Sequence, residues 1–115
     1  MTAAALPAGS IADLQDLLRR REISPREVLD SLRSRIEQTD PEIGAYLSID
    51  FDAAAKEAEK ADVNLPLGGI PIAIKDVINV MGQPCTCGSK ILQNYRSPYD
   101  ATSRLIRFRK SRLAA

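Results

Sequence analysis

The chain has no histidine among its 115 residues. That excludes every Ser-His, Cys-His and His-metal mechanism built from this chain alone. It has two cysteines, Cys85 and Cys87, in the run "CTC". Structural zinc needs a full tetrahedral set, usually of Cys and His, which these residue types do not supply. A disulfide between residues so close in sequence would be strained, so the pair reads as two reduced thiols in a cytosolic loop. No apolar run is long enough to span a bilayer. The first ten residues, "MTAAALPAGS", lack the basic and apolar regions of a secretory signal. A cytoplasmic location is therefore expected.

What is present suits one small soluble domain. Hydrophobic residues make up 44% and charged residues 27%, the balance of a globular chain rather than a disordered one. A domain of this size buries a real core but holds little stability in reserve. The net charge of +1 conceals an asymmetry. Residues 1–102 carry 11 basic against 15 acidic side chains, a balance of −4. Residues 103–115, "SRLIRFRKSRLAA", carry 5 basic side chains and no acid.

Helices come first along the chain. Ser10 caps a helix with Asp13 as the reciprocal acid, and Ile11, Leu14, Leu17 and Leu18 fall on one face. Arg19, Arg20 and Arg21 suit the negative end of that helix. A second helix spans residues 24–40: Ser24 caps, Pro25 takes the first helical position, and Glu27 completes a capping box. Val28, Leu29, Leu32 and Ile36 make its stripe, and Pro41 marks its end. These two helices read as a hairpin packed through their stripes. "IGAYLSI", residues 43–49, reads as a short strand. Asp50 or Asp52 starts an alanine-rich helix over residues 51–62. "VNLPLGG" is a loop. "IPIAIKDVI", residues 70–78, reads as a strand with Ile70, Ile72 and Ile74 on one face and Pro71, Ala73 and Lys75 on the other. "MGQPCTCGSKIL" and "QNYRSPYDAT" are rich in turn residues.

Lys75 raises the chemical question. An ammonium at the end of an apolar strand faces desolvation, which lowers its pKa. A lysine that is neutral for part of the time can act as a general base. Ala73 and Pro71 on its face leave room for another segment to approach. The plainer reading is a lysine that snorkels to water or pairs with Asp76.

The run "LPLGGIPIAIKDVINVMGQPCTCGSKIL", followed by "PYDAT", closely resembles the amidase signature family. Within it, the likeness is nearest to the A-subunit branch of the aspartyl/glutamyl-tRNA amidotransferases, and it covers roughly residues 10–102. "GGIPIAIKD" is the specific part. The resemblance implies an α/β fold, of which this chain is an N-terminal fragment: helices around a mixed sheet, with an incomplete core. It implies a Ser–cis-Ser–Lys triad in which Lys75 is the catalytic lysine. The neutral lysine relays a proton through the middle serine, and the nucleophilic serine attacks the amide to form an acyl-enzyme. Backbone N–H groups of a Gly/Ser-rich loop stabilise the oxyanion. The same resemblance implies B and C subunits as partners, glutamine as substrate and charged tRNA reached through the complex. It implies no cofactor bound by this chain, with ATP and magnesium in the partner subunit.

Both triad serines are expected downstream, in a Gly-Ser-Ser-Gly type segment that this chain does not contain. The match ends near Thr102, where the charge reverses. This points to a truncated or frameshifted reading frame, with residues 1–102 part of an amidase-signature domain and 103–115 an out-of-frame basic tail. The alternative for the tail is a basic amphipathic segment that binds RNA or an acidic surface. Ser89, in "CGSK", lies next to Lys90 in a turn-rich segment upstream of the family's nucleophile, so a structural or pocket-lining role fits it. Two alternatives to the amidotransferase reading stand beside it: a fragment of another amidase-signature hydrolase, and a non-catalytic fragment that acts by binding.

Overall fold

The computed structural model describes residues 9–102 and the backbone of residues 113–114. The basic tail of residues 103–115 lies outside the described residues apart from that short backbone stretch. Three helices lead: α1 (Ile11–Arg19), α2 (Pro25–Ile43) and α3 (Phe51–Glu59). A two-residue strand, β1 (Ala73–Ile74), pairs in parallel with β2 (Leu113–Ala114), Ala73 opposite Leu113 and Ile74 opposite Ala114. One turn of 3-10 helix spans Lys90–Leu92. The result is a helix-rich piece with little sheet, consistent with an α/β core that is incomplete.

Each helix starts where its capping residue permits. Ser10 Oγ accepts from the Asp13 amide at 3.2 Å and donates to the Asp13 carboxylate at 2.7 Å. Ser24 and Glu27 form the reciprocal box: Glu27 N donates to Ser24 Oγ, and Ser24 N donates to Glu27 Oε2 at 2.8 Å. That amide, with the Ser24 hydroxyl, holds the Glu27 carboxyl below its usual range. Asp50 caps α3 by accepting from the Ala53 amide at 2.9 Å. Each cap satisfies a donor that the first helical turn leaves orphaned.

The end of α2 departs from the sequence reading. The helix runs through Pro41 to Ile43. A proline in the last turn forfeits one hydrogen bond without preventing two more helical residues. Termination falls instead to Gly44, whose φ of 64° is the left-handed conformation that glycine adopts without penalty. Its amide closes on the Asp40 carbonyl at 2.7 Å, and the Ala45 amide on the Asp40 carboxylate at 2.7 Å.

The strand expected over residues 43–49 is absent. Ile43 belongs to α2, and residues 44–50 are irregular. Alternation of apolar residues makes a strand only when a neighbouring strand takes its hydrogen bonds, and no described segment does so here. Ile43 and Leu47 are exposed, whereas Ile49 packs onto Leu29 of α2 and Ala54 of α3. The strand expected over 70–78 shortens to Ala73–Ile74 because the chain turns after Lys75, the Ile78 amide bonding the Lys75 carbonyl at 2.9 Å. α3 also stops earlier than expected, at Glu59.

The core gathers around α1 and α2. Leu14 and Leu18, one turn apart on α1, meet Val28 of α2 and Ile70. Leu18 and Val28 retain 1% and 0% of their exposure. Burying such a side chain stabilises the fold by about 1.5–3 kcal/mol. The expected hairpin contact is thus only partly made: Leu14 and Leu18 meet Val28 and Leu32, but Leu29 turns to α3 and Ile11 points to solvent. A second cluster joins Leu29 and Ala54, flanked by Phe51, whose ring lies 5.1 Å from the Arg33 guanidinium.

Candidate active site

β1 delivers the segment that carries the chemistry. Ile70 and Ile74 are buried and Ile72 is half-buried, so the expected face turns inward. Ala73 and Lys75 are exposed, as strand alternation requires. Lys75 is therefore not enclosed as the sequence suggested: the strand ends at Ile74 and the side chain that follows is exposed. Among the described residues Lys75 makes no ion pair. Asp76, the carboxylate beside it in sequence, is committed elsewhere.

Asp76 organises the "CTC" turn. Its Oδ1 accepts from the Thr86 amide at 2.8 Å, and its Oδ2 from the Thr86 hydroxyl. Its main-chain carbonyl accepts from the Cys87 amide at 3.0 Å and from Cys85 Sγ at 3.4 Å. The Thr86 hydroxyl in turn accepts from the Gly88 amide at 3.3 Å. These donors, the Thr86 hydroxyl first and its amide second, hold the Asp76 carboxyl below its usual range, against a smaller opposing effect of burial. All three residues of "CTC" are thereby tied to the residue that follows Lys75.

The cysteines are both free, Cys85 buried and Cys87 exposed. Burial is the first cause that raises the Cys85 thiol, and contact with Cys87 adds to it. A thiol raised in this way is a packing group rather than a nucleophile. Cys87 sits at φ 50°, where the chain doubles back. Ser89 caps the 3-10 turn, its Oγ accepting from the Ile91 amide at 3.3 Å, which is the structural role expected of it. Beyond it, residues 82–85 and 95–97 lie antiparallel: Gly82 N donates to the Ser97 carbonyl at 2.7 Å, and Ser97 N to the Gln83 carbonyl at 3.0 Å. Both runs are irregular, as their turn residues suggested, but nothing in the sequence signalled that they pair with each other through the bridge between Pro84 and Arg96.

The glycines of "LGGIPIAIKD" have a steric explanation. A Cβ on Gly68 would stand 1.9 Å from the Asp62 carbonyl oxygen. The loop before β1 folds onto itself closely enough that only hydrogen fits there.

A groove of about 460 Å³ lies between α2 and α3, away from Lys75. Its two arginines are each paired: Arg26 bonds Asp30 at 3.1 Å, and Arg33 bonds Glu37 at 2.8 Å. Glu37 is the main cause of the raised Arg33 pKa. No described helix is long and apolar enough to cross a membrane.

Comparison with known proteins locates this arrangement. The family model described as Amidase matches residues 27–106. The chain is 50% identical over 93 residues to the A subunit of glutamyl-tRNA(Gln) amidotransferase from Methylacidiphilum infernorum, covering 81% of this chain and 19% of that protein. It is 48% identical over 94 residues to the protein of the same name from Halothermothrix orenii, again covering 81% and 19%. A solved bacterial aryl acylamidase of the amidase signature family superposes with a TM-score of 0.78 at 29% identity. That match covers 91% of this chain and 24% of the other. The chain thus spans about a fifth of the length of the curated relatives it matches.

Proposed function

The chain belongs to the amidase signature family, and from that membership we propose that it is the N-terminal part of the glutaminase component, the A subunit, of a tRNA-dependent amidotransferase. The observation that carries this reading is the 50% identity to the A subunit of a glutamyl-tRNA(Gln) amidotransferase over 93 residues that include "GGIPIAIKD". In the intact enzyme Lys75 is the base end of the triad. Its neutral amine takes the nucleophilic serine's proton through the middle serine. The serine oxygen bonds to the glutamine amide carbon, the C–N bond breaks as that proton returns to the leaving nitrogen, ammonia departs, and water then cleaves the acyl-enzyme to release glutamate. B and C subunits are the partners, and ATP, its magnesium and the charged tRNA are handled by the complex rather than by this segment.

The exposure of Lys75 supports the reading: its amine is available to a serine-bearing segment that this chain does not itself contain. The chain alone is therefore inactive on glutamine. A second reading, a fragment of a stand-alone amide hydrolase, draws on the structural likeness to the aryl acylamidase. The higher identity to the amidotransferase subunits favours the first.

The test is complementation. The chain is mixed with a relative's A subunit lacking its first fifth, together with B and C subunits, and ammonia release from glutamine is followed. Expected is turnover that needs both pieces and falls about 10²-fold or more in Lys75→Ala. Turnover by the isolated chain, or restored turnover indifferent to Lys75, refutes the proposal. Restored hydrolysis of an aryl acylamide but not of glutamine favours the second reading.

A further inference from the structure

The residue beside Lys75 is an acid, and an ammonium with a free carboxylate next to it in the chain has an ion-pair partner within reach. An opposite charge within a few ångströms favours the protonated amine, and a paired ammonium is a poor proton acceptor. In this fold the Asp76 carboxylate is turned to Thr86, ten residues along the chain, and receives both its amide and its hydroxyl. Between residues 75 and 102 the only other carboxylate is Asp100, whose Oδ1 accepts from the Met81 amide at 2.8 Å. Thr86 is itself fixed by the Gly88 amide, so its hydroxyl hydrogen is directed at Asp76.

We propose that Thr86 is a positioning residue for Lys75: by occupying the Asp76 carboxylate it prevents the neighbouring ion pair and keeps the lysine amine free. The proposal rests on the proton-relay reading of Lys75, and it deepens that reading by naming what keeps the relay available. The depressed Asp76 pKa agrees with a carboxylate held by donors. The hydroxyl is the part of Thr86 that matters. Serine supplies it and valine, of nearly the same shape, does not. Released from the hydroxyl in Thr86→Val, the carboxylate gains a lone pair in search of a donor, and the nearest cation in sequence is Lys75.

The experiment measures amine availability on the full chain, with no catalysis involved. Lysines are acetylated briefly with an N-hydroxysuccinimide ester at fixed pH, and labelling of Lys75 relative to Lys90 is read by mass spectrometry. Expected is a several-fold fall in Thr86→Val, wild-type labelling in Thr86→Ser, and no effect of Thr86→Val when Asp76→Asn is already present. A purely structural role for Thr86 would lower or raise Lys75 labelling whether or not the carboxylate remained. Unchanged labelling in folded Thr86→Val, or a change that persists in the Asp76→Asn background, overturns the proposal. Should Thr86→Val not fold, the wild-type chain still decides. An NMR signature of a Lys75 ammonium bonded to Asp76 overturns the proposal, and a freely exchanging ammonium upholds it. Failure here leaves the relay reading intact, because that reading is tested by turnover. Turnover indifferent to Lys75 would remove the relay while leaving the measured shielding in place.

Discussion

Gly68 lies so close to Asp62 that the carbonyl oxygen of Asp62 would stand 1.9 Å from any Cβ placed there. The neighbouring turn is closed by the Leu65 amide on the Asp62 carbonyl at 3.1 Å and the Gly68 amide on the Leu65 carbonyl at 2.9 Å. Backbone, not a flexible side chain, occupies the space. Gly68→Ala must therefore push the loop apart, and a cost of about 1–3 kcal/mol is expected. A urea midpoint equal to wild type would show that the loop before β1 is looser than this.

The core is thin, so its largest buried side chains carry a large share of the stability. Leu18 and Val28 are essentially inaccessible and face each other with Ile70. Leu18→Ala is expected to cost about 2–5 kcal/mol, enough to unfold a chain of marginal stability. Thermal unfolding followed by circular dichroism checks this. Ile11→Ala, at a residue 56% exposed, serves as the contrast and should move the midpoint little.

The capping box of α2 makes a smaller, local prediction. Ser24 satisfies the Glu27 amide and Glu27 satisfies the Ser24 amide. Ser24→Ala is expected to cost about 1 kcal/mol, visible as a lowered denaturation midpoint with the helical signal retained.

Acid should weaken the clasp at Asp76. Its folded pKa is depressed by Thr86, so its contribution to stability is fully present above the ordinary aspartate value of about 4. That contribution fades as the pH falls through the lower, folded value. The wild-type chain should therefore lose more stability between about pH 5 and pH 2 than Asp76→Asn does. Parallel pH profiles for the two would refute the assignment.

Lys75 separates function from stability. It is exposed and makes no ion pair among the described residues, so Lys75→Ala should shift stability by no more than about 0.5 kcal/mol. In the complemented enzyme the same change should abolish most turnover. A strongly destabilised Lys75→Ala would mean that the lysine is a structural residue.

What the sequence by itself determined is what closes within a few residues. Ser10, Ser24 and Asp50 each satisfy an amide three positions on, and that distance is set by the helix itself. The stripes of α1 and α2 follow from the helical repeat, and "GGIPIAIKD" carried the family. The end of α2 is local as well, but it falls to Gly44 rather than Pro41, since a left-handed residue stops a helix that one lost hydrogen bond does not. Tertiary structure decided the rest, because those bonds join distant residues. Residues 43–49 alternate like a strand but no described segment pairs with them. Asp76 was legible as a partner for Lys75, its neighbour in the chain. Only the fold brings Thr86 to that carboxylate, and a hydroxyl and an amide together outcompete one flexible ammonium that water already solvates.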